Sequence, residues 1–314
     1  MVSDPLRLRR STAPVLCVDR RCETAGEPLI RFGWAGAQAP GALSLLGGQR
    51  EDECWQSNLP GGFRFASVAM AYDLDVADAA ERAYRALLAE VRGSATPYLL
   101  RIWNFFAGIN QGDGDAECYR QFCIGRARAV DRAFHDPAPA ATAIGWPVSV
   151  DDASNAHSKR LEVVALCGDE PGIALENPRQ TPAWRYPREY GPVSPGFSRG
   201  AVVGHGATAV LLASGTASIV GHVSRHVGDV VAQLDESLAN LEALLSEGAR
   251  RSLSDFSPAG CMALRVYLRD PAHADAVSAR LYAWLGDRPV LRMLHGEVCR
   301  RELEIEIEGV FAAD

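Results

Sequence analysis

Apolar and polar positions alternate along this chain with two different periods, and the changes of period mark its elements. Ala80, Tyr84, Leu87, Leu88 and Val91 recur at helical spacing, with Gly93 as a stop. PYLLRIWNFF at 97–106 follows as a strand-like apolar run. The spacing of Tyr119, Phe122, Val130 and Phe134 predicts a helix over about 117–134, and TAIGW (142–146) and LEVVALC (161–167) predict strands. The second half repeats this order. TAVLLASG (208–215) is a strand ending at glycine, and Val231, Leu234, Leu238, Leu241 and Leu245 form an amphipathic helical stripe. MALRVYLRD (262–270) is a strand, Val277, Leu281, Trp284 and Leu285 mark a helix, and PVLRML (289–294) and LEIEIEGVF (303–311) close the chain as strands. Helix, strand, helix, strand, strand thus occurs twice, which predicts an α+β protein made by internal duplication.

Before and between the halves lie stretches of another kind. The first 62 residues carry much Gly, Pro and charge and end at the turn signal Pro60-Gly61-Gly62, which reads as an N-terminal arm with short strands. Residues 176–200, ENPRQTPAWRYPREYGPVSPGFSRG, make a long loop whose proline, arginine and aromatic content argues for function rather than disorder. The expected organisation is an arm (1–62), a first unit (63–175), a connecting active-site loop (176–200) and a second unit (201–314).

Composition changes the picture by exclusion. With 47% hydrophobic and 23% charged residues in 314, the chain reads as globular, and its net charge of -7 disfavours a nucleic-acid partner. A local arginine cluster can still hold a small anion against that global sign. The cysteines, including the C-x4-C pair Cys118 and Cys123, lack metal or disulfide-framework spacing, so reduced thiols in a cytoplasmic protein are expected. MVSDPLRLRR is followed by no apolar stretch, so no signal peptide is read, and no apolar run is long enough to span a membrane. GHGATA at 204–209 is not a dinucleotide fingerprint and there is no HExxH, so neither a metal nor a cofactor is expected.

Several separate segments carry a family resemblance: YLLRIWNFFAGIN, YRQFCIGR, ENPRQTPAWRYPREYGP, SPGFSRG, SGTASIVGH and CRRELEIEIEG. Each half resembles the YjgF/RidA-like unit, whose last strand ends in an EIEA-like motif, here EIEG. The whole, over roughly residues 28–311, is similar to the chorismatases, which cleave chorismate on a duplicated YjgF-like fold with mixed sheets packed by helices. That resemblance implies a small-molecule substrate, chorismate, and a metal-free reaction. It also implies a monomer, because one duplicated chain supplies the junction that single units form between subunits.

The resemblance places the general acid at Glu306. Periodicity alone reads Glu304, Glu306 and Glu308, alternating with Ile305 and Ile307, as the wet face of a strand, and the resemblance changes that reading for Glu306 only. An acid with a raised pKa suits protonation of the enolpyruvyl methylene. Cys299 reads by itself as a small buried residue, and by resemblance as a feature of the hydroxybenzoate-forming branch. Two substrate carboxylates call for arginine forks, with Arg126, Arg185, Arg188, Arg199, Arg269 and Arg280 as candidates against ordinary surface solvation. Tyr186 and Tyr190 offer hydroxyls from the loop, and Ser214 and Thr216 offer them at a glycine turn beside Ala217. The expected products are pyruvate and 3-hydroxybenzoate, with 4-hydroxybenzoate left open as a second aromatic product. Hydrolysis to a dihydroxycyclohexadiene acid is the alternative. An imine deaminase, for which Arg292 lies near the expected place, or a non-catalytic metabolite-binding protein are the readings from other classes.

Overall fold

A computed structural model describes residues 16–21, 29–34, 43–45, 53–59, 61–72, 75–135, 137–146, 160–285 and 290–314. Strands β1 (Leu16–Arg21), β2 (Leu29–Trp34) and β3 (Leu43–Leu45) pair in a small antiparallel sheet, and β4 (Glu53–Leu59) follows. A hairpin then leads into β5 (Phe63–Ala71), turning on Gly61 and Gly62, both with φ near +78°, a backbone that residues with a Cβ adopt at a cost. The arm's last strand is therefore an edge of the first large sheet, reached through the turn read as its boundary.

The first unit continues with helix α1 (Val76–Arg92), β6 (Tyr98–Ala107), α2 (Cys118–Ala129), β7 (Ala140–Trp146) and β8 (Arg160–Gly168). Helix α2 ends five residues sooner than its apolar spacing predicts, because Val130 is extended and the chain re-forms only a short turn at Arg132–His135. After β9 (Ile173–Leu175) the chain passes through short turns at Ala183–Arg185 and Arg188–Tyr190 to β10 (Gly200–Val203), β11 (Val210–Ala213), β12 (Thr216–Ala217), β13 (Ile219–Val220) and β14 (Val223–Ser224). Helix α3 (Val230–Ser252), β15 (Cys261–Leu268), α4 (Ala274–Leu285), β16 (Val290–His295), β17 (Glu297–Val298) and β18 (Ile305–Ala312) complete it. The α3 stripe begins at buried Val230, whereas Val231 is exposed.

The duplication is visible in the pairing. One sheet runs β17-β7-β6-β8-β5-β4 and the other β16-β15-β18-β11-β10-β9, with β12 also on β18. In both, the strand after the first helix pairs parallel with the strand after the second and antiparallel with the last strand of the unit. Each sheet buries its outer face under its own helices: α1 and α2 over Ala66, Ile102, Val163 and Ala165, and α3 and α4 over Leu211, Leu264, Ile305 and Ile307. The inner faces pack on each other through Phe65, Trp103, Phe105, Val164 and Leu166 against Val210, Leu212, Tyr267 and Val310. Strand β17 leaves the second unit to pair with β7 of the first. Among the described residues no helix is long and apolar enough to cross a membrane.

Candidate active site

Strand alternation sends Ile305, Ile307 and Phe311 into the helix-covered core and turns Glu306, Glu308 and Val310 toward the first unit. The face read as wet is therefore covered by a second sheet, and both carboxylates are buried, at 5% and 4% exposure. They are held very differently. Glu308 accepts hydrogen bonds from Arg101 (2.6 Å), Trp103 Nε1 (3.0 Å), the Tyr267 hydroxyl (3.0 Å), Arg265 and Thr142. These donors keep its carboxyl below the usual range despite burial. Glu306 has no hydrogen bond or ion pair among the described residues. Burial, then the neighbouring Glu308 charge, pushes it up to about 8 against the pull of Arg101 and Arg199.

The space around Glu306 is built from both units. Ala217 lies opposite it on β12 and Tyr267 on β15. Gly215 approaches so closely that a Cβ there would stand 2.0 Å from the Glu306 carboxylate oxygen. The Gly215 N–H donates to the Thr142 hydroxyl of the first unit (2.9 Å). Cys299, after β17, packs between the first unit's core and a cluster of Ala217, Ile219, Val298 and Leu303. Burial, then the adjacent Glu306, raises its thiol, so it faces the acid as a neutral group. Tyr119 of α2 is raised by burial and then by Cys123 and Cys299, and completes the wall from the first unit.

Loop residues 176–200 close over this wall. The Arg199 guanidinium is buried, donates to the Tyr186 hydroxyl and the Thr181 carbonyl (both 2.8 Å), and lies 5.1 Å from the Phe197 ring centroid. Arg300, buried just beyond Cys299, lies 3.9 Å from the Tyr190 ring and 5.1 Å from that of Tyr186, and donates to the His222 carbonyl and the Ser224 hydroxyl. Each arginine keeps one buried nitrogen without a protein acceptor, Nε of Arg199 and one terminal nitrogen of Arg300. Two guanidinium groups with spare donors, 5.6 and 5.1 Å from the Tyr186 ring centroid, with Arg199 acting on the unpaired acid, are an arrangement able to hold an anionic ligand.

The remaining candidates separate by where their polar atoms go. Tyr186, Tyr190, Ala217 and Cys299 come together around Glu306 and its arginines. Arg126 is buried behind them, over the Phe122 ring and beside Tyr84 and Tyr119. Arg269 is spent on the backbone carbonyls of Val298, Arg300 and Leu303 and on Asn110, so it braces the Cys299 turn instead of clamping a ligand. Arg188 is exposed and paired with Asp115, Arg280 is paired with Asp235 on the outer helical layer, and Arg185 is exposed beside Trp184. Ser214 donates to the Ser198 carbonyl and Thr216 to the Ser214 carbonyl, so both hydroxyls hold the turn rather than an anion. Arg292 is a residue whose side chain lies outside the description. Arg300, Tyr119 and Glu308 are additions that the sequence did not single out. Arg300 stands directly beside Cys299, and that adjacency was its one signal.

Known proteins resemble this chain in sequence and in fold. Residues 45–150 match the family described as chorismatase FkbO/Hyg5-like, N-terminal. A chorismatase of Streptomyces hygroscopicus is 36% identical over 248 residues, which are 75% of this chain and 68% of that protein. A 3-hydroxybenzoate synthase of the same species is 35% identical over 222 residues, 68% of this chain and 63% of the relative. A crystal structure of a chorismatase at 1.08 Å superposes with a TM-score of 0.70 at 29% identity, covering 95% of this chain and 80% of that one. The chain belongs to the chorismatase family.

Proposed function

We propose that this chorismatase releases pyruvate and 3-hydroxybenzoate from chorismate, with Glu306 as the acid. The observation that carries the reading is the pair of buried carboxylates on one strand face, one locked as an anion and the other unpaired with its acidity moved to about 8. A group protonated at neutral pH and facing buried cations is suited to deliver a proton to a bound dianion. Arg199 and Arg300 offer their spare nitrogens to the substrate's carboxylates, and Tyr186 orients both guanidinium groups.

The steps balance without a cofactor. Glu306 protonates the enolpyruvyl methylene, which becomes the methyl of an oxocarbenium ion. The ring hydroxyl attacks the ring carbon bearing the ether, the ether bond breaks, and its electron pair leaves in the carbonyl of pyruvate. The resulting epoxide opens and the ring loses a proton, giving 3-hydroxybenzoate and returning a proton to the site. No water enters, so the pocket must keep water from the cation. The neutral Cys299 thiol and the apolar Ala217 support that demand, and so does the relative named for 3-hydroxybenzoate synthesis.

Mixing the protein with chorismate and following pyruvate by a coupled dehydrogenase tests the reaction, and chromatography identifies the ring acid. Glu306→Gln should lower the rate by roughly a hundred- to ten-thousand-fold. Cys299→Ala should divert product toward the diene acid or slow aromatisation. A Glu306→Gln protein within a few-fold of wild type would remove Glu306 from its role, and a wild type making only the diene acid would overturn the product assignment.

A further inference from the structure

We propose that Glu308, locked across the unit junction by Arg101 and Arg265, is the positioning residue that keeps the proton on Glu306. The inference rests on the reading of Glu306 as the acid and goes beyond it. Glu308 lies two residues along the same strand, so its side chain shares the face of Glu306. All of its partners donate to it: Arg101, Trp103 and Thr142 from the first unit, and Arg265 and Tyr267 from the second. Two of them are cations and every one presents an N–H or O–H to its oxygens, so Glu308 is held as an anion.

Two arginines beside two carboxylates could equally have ionised Glu306. Geometry decides otherwise, because both guanidinium groups direct their N–H bonds at Glu308 and neither donates to Glu306. What Glu306 meets is a fixed negative charge in a buried setting, which disfavours its own ionisation. The groups facing Glu306 are Glu308 on its own strand, Tyr267 on β15, Arg101 on β6, Arg199 before β10, Cys299 after β17, and Tyr119 on α2 with Cys123 and Arg126 behind it. Thr142 couples position to charge: its hydroxyl donates to Glu308 and accepts from the N–H of Gly215, the residue that walls the Glu306 carboxylate. The first unit therefore fixes both the charge beside the acid and the turn against it.

The test reads the carboxyl directly. The infrared C=O stretch of protonated Glu306 is assigned as the band lost in Glu306→Gln and titrated with pH. Glu308→Gln removes the fixed charge and frees both arginines, so the titration midpoint should fall by about one unit or more. Arg265→Met leaves Glu308 less compensated while keeping Arg101, whose own charge pulls Glu306 down, so the midpoint should rise. Opposite shifts in the two variants establish the role, and Arg265→Met carries the test if Glu308→Gln does not fold. A band that titrates at the wild-type pH in every folded variant overturns the proposal, whatever happens to the rate. The pH profile of pyruvate release separates the two claims. If it fails to follow the Glu306 band in the wild type, the acid assignment falls, while the band shifts still decide the role of Glu308.

Discussion

Replacing Glu306 by Gln should stabilise the fold while it abolishes the chemistry, and the gain should depend on pH. In the unfolded chain the carboxyl titrates near its ordinary 4.5, and in the fold near 8. The folded state therefore prefers the protonated form. Its relative stability is complete below about pH 4.5 and is lost as pH rises toward 8. At about 1.4 kcal/mol per unit, the loss is roughly 3 kcal/mol at pH 7 and approaches about 5 kcal/mol above pH 8. Glutamine has nearly the shape of the protonated acid and never ionises, so the variant escapes the loss. Even half of that difference corresponds to roughly 2–4 °C in unfolding midpoint for a chain of this size. Thermal unfolding of both proteins at pH 5, 7 and 9 measures it. The curves should nearly coincide at the lowest pH and separate steadily above it, with the Gln variant the more stable. Parallel curves, or a variant less stable at every pH, would refute the picture of Glu306 as a buried and unpaired acid.

Two further outcomes test the walls of the site. Gly215→Ala places a Cβ where the Glu306 carboxylate lies, so kcat should fall by about a hundredfold or more, the scale of losing a general acid; kinetics close to wild type would show that the carboxylate is not confined there. Arg199→Met and Arg300→Met should each raise KM for chorismate about tenfold or more, the worth of one hydrogen bond to a charged group, with a smaller change in kcat; an unchanged KM in both would separate these arginines from the substrate.

The fold was legible because its signals are local. The stripes Leu234, Leu238, Leu241 and Leu245, and Tyr84, Leu87, Leu88 and Val91, are buried as their spacing requires, and the repeated order of elements gave the duplication. The candidate site was legible only where a motif marked it, at Glu306, Cys299 and the tyrosines of the loop, which the fold brings together. Alternation along β18 tells which residues share a face but not whether that face is covered. Glu308 looks like a solvated residue until Arg101, 207 positions earlier, is brought against it. The arginines fail for the same reason. Arg269, Arg188, Arg280 and Arg199 are equivalent in sequence, and only tertiary contacts direct them to backbone carbonyls, to surface carboxylates, or to a spare donor at the site.

The duplication also explains why the proposed acid belongs to one half. Register places Phe105 opposite Glu162 and Trp103 opposite Val164 in the first sheet, and Tyr267 opposite Glu306 and Arg265 opposite Glu308 in the second. The first unit thus has a carboxylate at the place of Glu306, but Val164 stands where the second has Glu308, and Trp103 where it has Arg265. Its strand lacks the fixed anion and the arginine that holds it. What the first unit contributes instead crosses the junction: Trp103 donates its N–H to Glu308, and Arg101, near the start of the same strand, pairs with it. Equivalent strands in the two halves have become the two sides of one candidate site, one carrying the proposed acid Glu306 and the other holding the Glu308 charge beside it. Such a division is open to a tandem chain, in which each unit's sequence can be set independently, and closed to identical copies, in which a Val at position 164 would remove the anion from every site.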